Sequence, residues 1–131
     1  GIIPHFRDKN SPYLSNFSNS KDIIIIDVQN VKNWKLFIDH INQCKYILSS
    51  SLHGIIVADA YKTPNIWVEF KNGENKRFAF NDYFLSVSRS LQSPFLIDEN
   101  VNFIAIEENI LRNWTPPKID LEKLLSVYPF K

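Results

Sequence analysis

A chain of 131 residues and 15.3 kDa is long enough for one ordinary domain and too short for two. Hydrophobic residues at 44% against charged residues at 22% exclude intrinsic disorder, and 15 Lys and Arg against 14 Asp and Glu exclude the basic excess of a typical nucleic-acid binder. One cysteine, Cys44, excludes an intrachain disulfide and a cysteine-based zinc site, and no apolar run approaches the ~20 residues that span a bilayer.

The opening Gly1-Ile2-Ile3-Pro4-His5 lacks the basic and long apolar regions of a signal peptide. It begins without Met and inside an apolar stretch, so a piece of a longer protein is expected, with Gly1 to Phe6 as a strand. Asp8 to Ser20, rich in Asn, Ser and Lys, predicts a loop or short helix. The continuous β-branched run of Lys21 to Val28, with Ile23 to Ile26 at its centre, suits a strand of a parallel sheet buried on both faces. Val31, Trp34, Ile38 and Ile41 recur at helical spacing, with Asn30 as cap. Tyr46 to Leu48 predicts a short strand, Leu52 to Tyr61 a helix entered through Ser49-Ser50-Ser51, and Asn65 to Phe70 another strand. Lys71 to Asn75 is a polar turn. Phe80, Tyr83, Phe84 and Val87 then predict a short helix over Asp82 to Arg89, capped by Asn81, with Phe78, Phe80, Tyr83 and Phe84 in the core. Two further helices follow, Phe103 to Trp114 and Asp120 to Val127, separated by Thr115-Pro116-Pro117, the last turning Leu121, Leu124 and Leu125 inward. An aromatic content of 14%, with Trp34, Trp67 and Trp114, supplies material for a substantial core.

Alternating strands and helices with short connections predict a βαβαβ unit: an α/β, three-layer, Rossmann-like parallel sheet with helices on both faces. The whole chain forms one such domain, an α/β core over residues 1–95 and a helical tail over 96–131. Ligands of such sheets bind beyond the carboxyl ends of the strands. The predicted strand ends bring His5 and Arg7, Asp27 and Gln29, Ser49 to His53, and Glu69 to Lys71 to one rim. Within it, Ser49-Ser50-Ser51-Leu52-His53-Gly54 joins a strand to a helix. Free N–H groups, three hydroxyls and a small residue there suit a phosphate. Two readings stay open: an anion cradle, or one serine acting as a cap and Gly54 allowing tight helix–strand packing. His40 is read as solvated surface, Cys44 as a small buried hydrophobe and Asp59 as a structural hydrogen-bonding group. His5, His40 and His53 lack metal-ligand spacing, and no HExxH, P-loop or GxGxxG pattern occurs.

The block Ile47 to Tyr61, followed by Thr63-Pro64-Asn65, resembles the signature of polysaccharide pyruvyl transferases, most of all the exopolysaccharide ketal pyruvyltransferases of the xanthan and succinoglycan type. Ile3-Pro4-His5-Phe6 and the segment Phe78 to Arg89 resemble two further pieces of that group, in the same order, so the resemblance covers roughly residues 1–95. It implies the C-terminal, Rossmann-like half of a GT-B-like bacterial enzyme whose N-terminal half lies outside this chain. The implied reaction moves pyruvate from phosphoenolpyruvate to two hydroxyls of a saccharide or lipid-linked oligosaccharide, without metal or organic cofactor. His53 matches the family's site histidine and would be the catalytic acid. Ser49, Ser50, Ser51, Gly54, His5, Arg7, Glu69 and Arg89 form the expected substrate-binding set.

Where many members have Arg two residues before the histidine, this chain has Ser51, as the exopolysaccharide subgroup also allows. The phosphate-binding cation must then come from elsewhere, with Arg7, Arg89 and Lys76 as candidates. Ser88 stands where the subgroup often has glycine, and Asn72-Gly73 is a thinner match to its glycine pair. Two other readings remain. One is a nucleotide-sugar-binding half of a GT-B glycosyltransferase, with Glu69 or Asp59 near the ribose. The other is an inactive folded interaction domain, able to form homodimers through its tail helices. The implied location is the bacterial cytoplasm, with peripheral association at the inner membrane left open.

Overall fold

A computed structural model of the protein describes residues 1–29, 33–73 and 76–129. Its centre is a four-stranded, all-parallel sheet in the order β1 (Ile2–Ile3), β2 (Ile47–Ser49), β3 (Asn65–Phe70), β4 (Phe95–Ile97). The register pairs Ile3 with Ser49, Ser49 with Trp67, and Glu69 with Leu96. A 3-10 turn (Pro12–Leu14) leads into α1 (Ser15–Ser18). The crossovers carry α2 (Trp34–Gln43), α3 (Leu52–Ala60) and α4 (Arg77–Ser86), and α5 (Phe103–Asn113) and α6 (Leu121–Ser126) follow β4.

Alternation along the strands separates two apolar layers. Ile2, Leu48, Ile66, Val68, Phe70 and Ile97 pack with Leu14, Phe17, Ile106 and Ile110, which places α1 and α5 on one face. On the other face Ile3 and Ile47 meet Phe37, Ile41 and Ala58, while Trp67 meets Ile55, Phe80 and Phe84. Trp67 stacks on Phe80 at 4.5 Å between centroids, with only 9° between planes. Helices therefore cover both faces, as the sequence predicts for a Rossmann-like three-layer fold.

Four local expectations are corrected. The isoleucine run does not form a doubly buried strand. It makes a single parallel bridge, Ile25 to Ile2, at the sheet edge, secured by Ile2 N–H to Ile24 O and Ile26 N–H to Ile2 O, both at 2.8 Å. Having a strand on one side only, it buries Ile26 and leaves Ile24 and Ile25 exposed. The helix predicted from Val31 begins at Trp34 instead, where Asn33 caps it by accepting from Lys35 N–H; its buried residues are Phe37 and Ile41, and Trp34 is 66% exposed. Asn30 and Val31, the predicted cap and first apolar position, lie outside the described residues.

The helix expected at Asp82 begins five residues earlier, at Arg77, so Asn81 sits inside it and accepts from Gln92 N–H rather than capping. Phe80 and Phe84 are buried as predicted, but Phe78 points to solvent. Finally, α6 forms where expected yet turns no leucine inward: Leu121, Leu124 and Leu125 are all exposed. β4 was not predicted, because Phe95-Leu96-Ile97 is too short an apolar run to stand out. No helix among the described residues is long and apolar enough to cross a membrane.

Candidate functional site

The carboxyl ends of β1 and β2 place His5 beside the serine triplet. Ser50 continues the parallel pairing, donating its N–H to Ile3 O at 3.2 Å, and its hydroxyl accepts from His5 N–H at 3.0 Å. Ser49 is fully buried: its hydroxyl lies 2.9 Å from Ile3 O and 2.8 Å from Ser51 O, and accepts from Ser51 N–H at 3.0 Å. Ser49 is thus committed to the turn. Ser51 occupies the N-cap position of α3 in extended backbone, but its side chain makes no capping bond. Ile55 N–H makes the first intrahelical bond, to Ser51 O, so Leu52, His53 and Gly54 supply N–H groups ahead of it. The serine cap that the sequence allowed is absent here: the Ser51 side chain makes no bond to the first amides of α3.

Gly54 is buried against β1. A Cβ there would collide with Ser49 Oγ and lie 3.0 Å from Ile3 Cγ2. Tight helix–strand packing therefore accounts for this glycine, and the close approach brings the start of α3 onto the sheet. Gly54→Ala is expected to cost about 1–3 kcal/mol by overpacking, read as a lowered denaturation midpoint.

His53, one residue into the helix, is exposed, as is Arg7, whose guanidinium lies over the Phe6 ring at 5.4 Å. His5 is half-buried, with its Nδ1 facing Arg7 N–H at 3.4 Å. Glu69 enters the same end of the sheet from β3, and its Oε1 is buried with no hydrogen-bond partner among the described residues. Lys71, at the end of β3, is paired with Glu99 at 2.8 Å. Asp27 and Gln29 hold Lys9, at 2.6 and 2.7 Å.

Arg89 is elsewhere. Its NH1 meets Asp59 Oδ2 at 2.8 Å and Oδ1 at 3.1 Å, near the start of β3 and at the opposite end of the sheet from His53. Asp59 also accepts from Asn65 Nδ2, Tyr83 OH and Trp114 Nε1, at 2.6, 3.0 and 3.2 Å. Burial, reinforced by the Asp59 carboxylate, pushes the Tyr83 phenol above the ordinary tyrosine range. The segment Phe78 to Arg89 thus delivers Arg89 to a structural ion pair and not to the rim. Ser88 has φ +58°, the left-handed conformation that favours glycine, which explains why glycine suits this position. Cys44 is half-buried and donates its thiol to His40 O at 3.1 Å, and His40 is itself half-buried. Among the described residues no three His, Cys, Asp or Glu side chains gather as a metal centre requires.

The rim thus brings together the start of α3, the exposed His53 imidazole, and Arg7 and Lys76, on residues 3–8, 49–54, 69–73 and 76. The sequence model of the polysaccharide pyruvyl transferases matches residues 2–72, from β1 to just past β3. The chain belongs to the polysaccharide pyruvyl transferase family. The matched segment contains His5, Arg7, Ser49 to Gly54 and Glu69 of this transferase domain, and stops short of Lys76 and Arg89. Searches of curated proteins and of solved structures returned no match. One residue at this rim escaped the sequence reading. Asp8, in a polar loop, is buried and accepts from Ser50 Oγ at 2.6 Å; no local pattern marks it, because its partners are 42 and 68 residues away.

Proposed function

We propose that this domain is the donor-binding, C-terminal half of an enzyme that transfers pyruvate from phosphoenolpyruvate to two hydroxyls of a saccharide in bacterial surface-polysaccharide assembly in the cytoplasm. The observation that carries the proposal is the N-terminus of α3, where the cap residue Ser51 makes no side-chain capping bond and His53 is exposed. The donor phosphate lies against the Leu52, His53 and Gly54 amides, where the helix dipole and free N–H groups favour a dianion. With Arg89 committed to Asp59, the supporting cation is Lys76 or Arg7.

His53 then delivers its proton to C3 of the enol ether, and C2 becomes an oxocarbenium-like electrophile. The first saccharide hydroxyl adds to C2 and passes its proton to His53, restoring the acid. The C2–O bond to phosphate breaks, and the second hydroxyl closes the ring as its proton passes to the departing phosphate, leaving a ketal and hydrogen phosphate. Amides that hold the phosphate stabilise the charge that accumulates as it departs.

Thermal unfolding in the presence of ligand tests the donor. Phosphoenolpyruvate at about 100 times its Kd is expected to stabilise the domain by about 2.7 kcal/mol, seen as a rise in Tm. No rise with phosphoenolpyruvate, together with a rise from a nucleoside diphosphate, would replace this reading with glycosyl transfer.

A further inference from the structure

The Asp8 side chain is only 7% exposed although it belongs to a polar loop, and it touches every segment that builds the rim. Its Oδ2 accepts from Ser50 Oγ, and Ser50 Oγ accepts from His5 N–H, which ties the turn after β1 to the β2–α3 junction. Asp8 N–H donates to His5 O at 2.8 Å, and Ser11 N–H donates to Asp8 O at 2.9 Å, so the carboxylate stands on a closed turn. From the third side comes Lys76, the residue preceding α4. Its Nζ is 4.0 Å from Asp8 Oδ2 and donates to Ser50 O at 3.5 Å. Gly73 gives the same loop its close approach, since a Cβ there would meet Phe70 O at 2.7 Å and Asp8 Oδ1 at 3.3 Å.

We propose that Asp8 is a positioning residue that sets the Lys76 ammonium and the Ser50 main chain beside the start of α3, making Lys76 the cation that receives the donor phosphate. This rests on the donor-binding reading above. It also makes a claim of definite sign. By its own charge, a carboxylate near a bound phosphate weakens binding, so neutralising it would tighten the complex. By holding Lys76 in place it strengthens binding, and neutralising it loosens the complex. Opposite outcomes thus separate the two roles.

The experiment is isothermal calorimetry with phosphoenolpyruvate and, separately, inorganic phosphate. The proteins are the wild type, Asp8→Asn, Lys76→Ala and the double variant, each checked by thermal unfolding. Asp8→Asn is expected to raise the Kd for phosphoenolpyruvate about tenfold, within the range for side chains in one network, and to add less than about twofold in the Lys76→Ala background. Unchanged or tighter binding by Asp8→Asn overturns the proposal. So does an equal loss in both backgrounds, which marks a structural role alone. If Asp8→Asn does not fold, Asp8→Glu keeps the charge and displaces it by one methylene: weaker binding supports the proposal and unchanged binding overturns it. Failure of the wild type to bind phosphoenolpyruvate removes the donor reading itself, whereas a binding wild type with an indifferent Asp8 removes only this role.

Discussion

His53→Ala in the complete enzyme is expected to lower kcat by about 10²-fold or more while leaving the unfolding transition where it was. The first half follows from general acid catalysis, whose usual weight is ~10²–10⁴ in rate. The second half follows from position. His53 is exposed in the first turn of α3, and surface substitutions of this kind move stability by roughly ±0.5 kcal/mol. Steady-state rates and a thermal melt on the same preparation check both halves. Near-wild-type turnover removes His53 from the chemistry. A large drop in Tm would mean that the imidazole holds the fold instead.

Asp59→Ala is expected to have the reverse signature: a loss of about 3–5 kcal/mol of folding stability, from a residue remote from the rim. Asp59 and Arg89 side chains are 0% and 2% exposed, so removing the carboxylate leaves a guanidinium stranded in the interior. Asn65, Tyr83 and Trp114 lose an acceptor in the same step. These donors come from β3, α4 and the end of α5, so the damage spreads across three elements. Since a domain of this size has about 5–15 kcal/mol in hand, the variant should unfold at much lower denaturant. Chemical denaturation measures it, and a loss below about 1 kcal/mol would show that the buried pair contributes little. Asp59→Asn keeps the shape and removes the charge, and it should recover only part of the loss because Arg89 remains unpaired.

These two residues show what each level of description supplies. His53 was legible because a strand end, a serine run and a helix start follow one another without a gap, so local order already places it at the rim. Arg89 looked equally suitable by charge and by its place in a family-like segment. It was misassigned because an extra turn and a half of helix before Asp82 carries it to the far end of the sheet, where Asp59 waits. Similar logic covers the isoleucine run. Its composition demands burial, but composition does not say whether a strand lies at the centre or at the edge of a sheet.

By itself the amino-acid order determined the alternation of strands and helices from β2 to β3, the parallel α/β class, and the serine–histidine junction, all of which depend on neighbours within a few residues. Only the tertiary structure decided which cations face the rim, which hydroxyls are spent on the backbone, and that a loop carboxylate, Asp8, is buried at the centre of the candidate site. The physical reason is distance along the chain. Hydrogen bonds between Asp8 and Ser50, or Asp59 and Arg89, join residues 42 and 30 positions apart, and such pairings are set by the packing of whole elements, which no local spacing records.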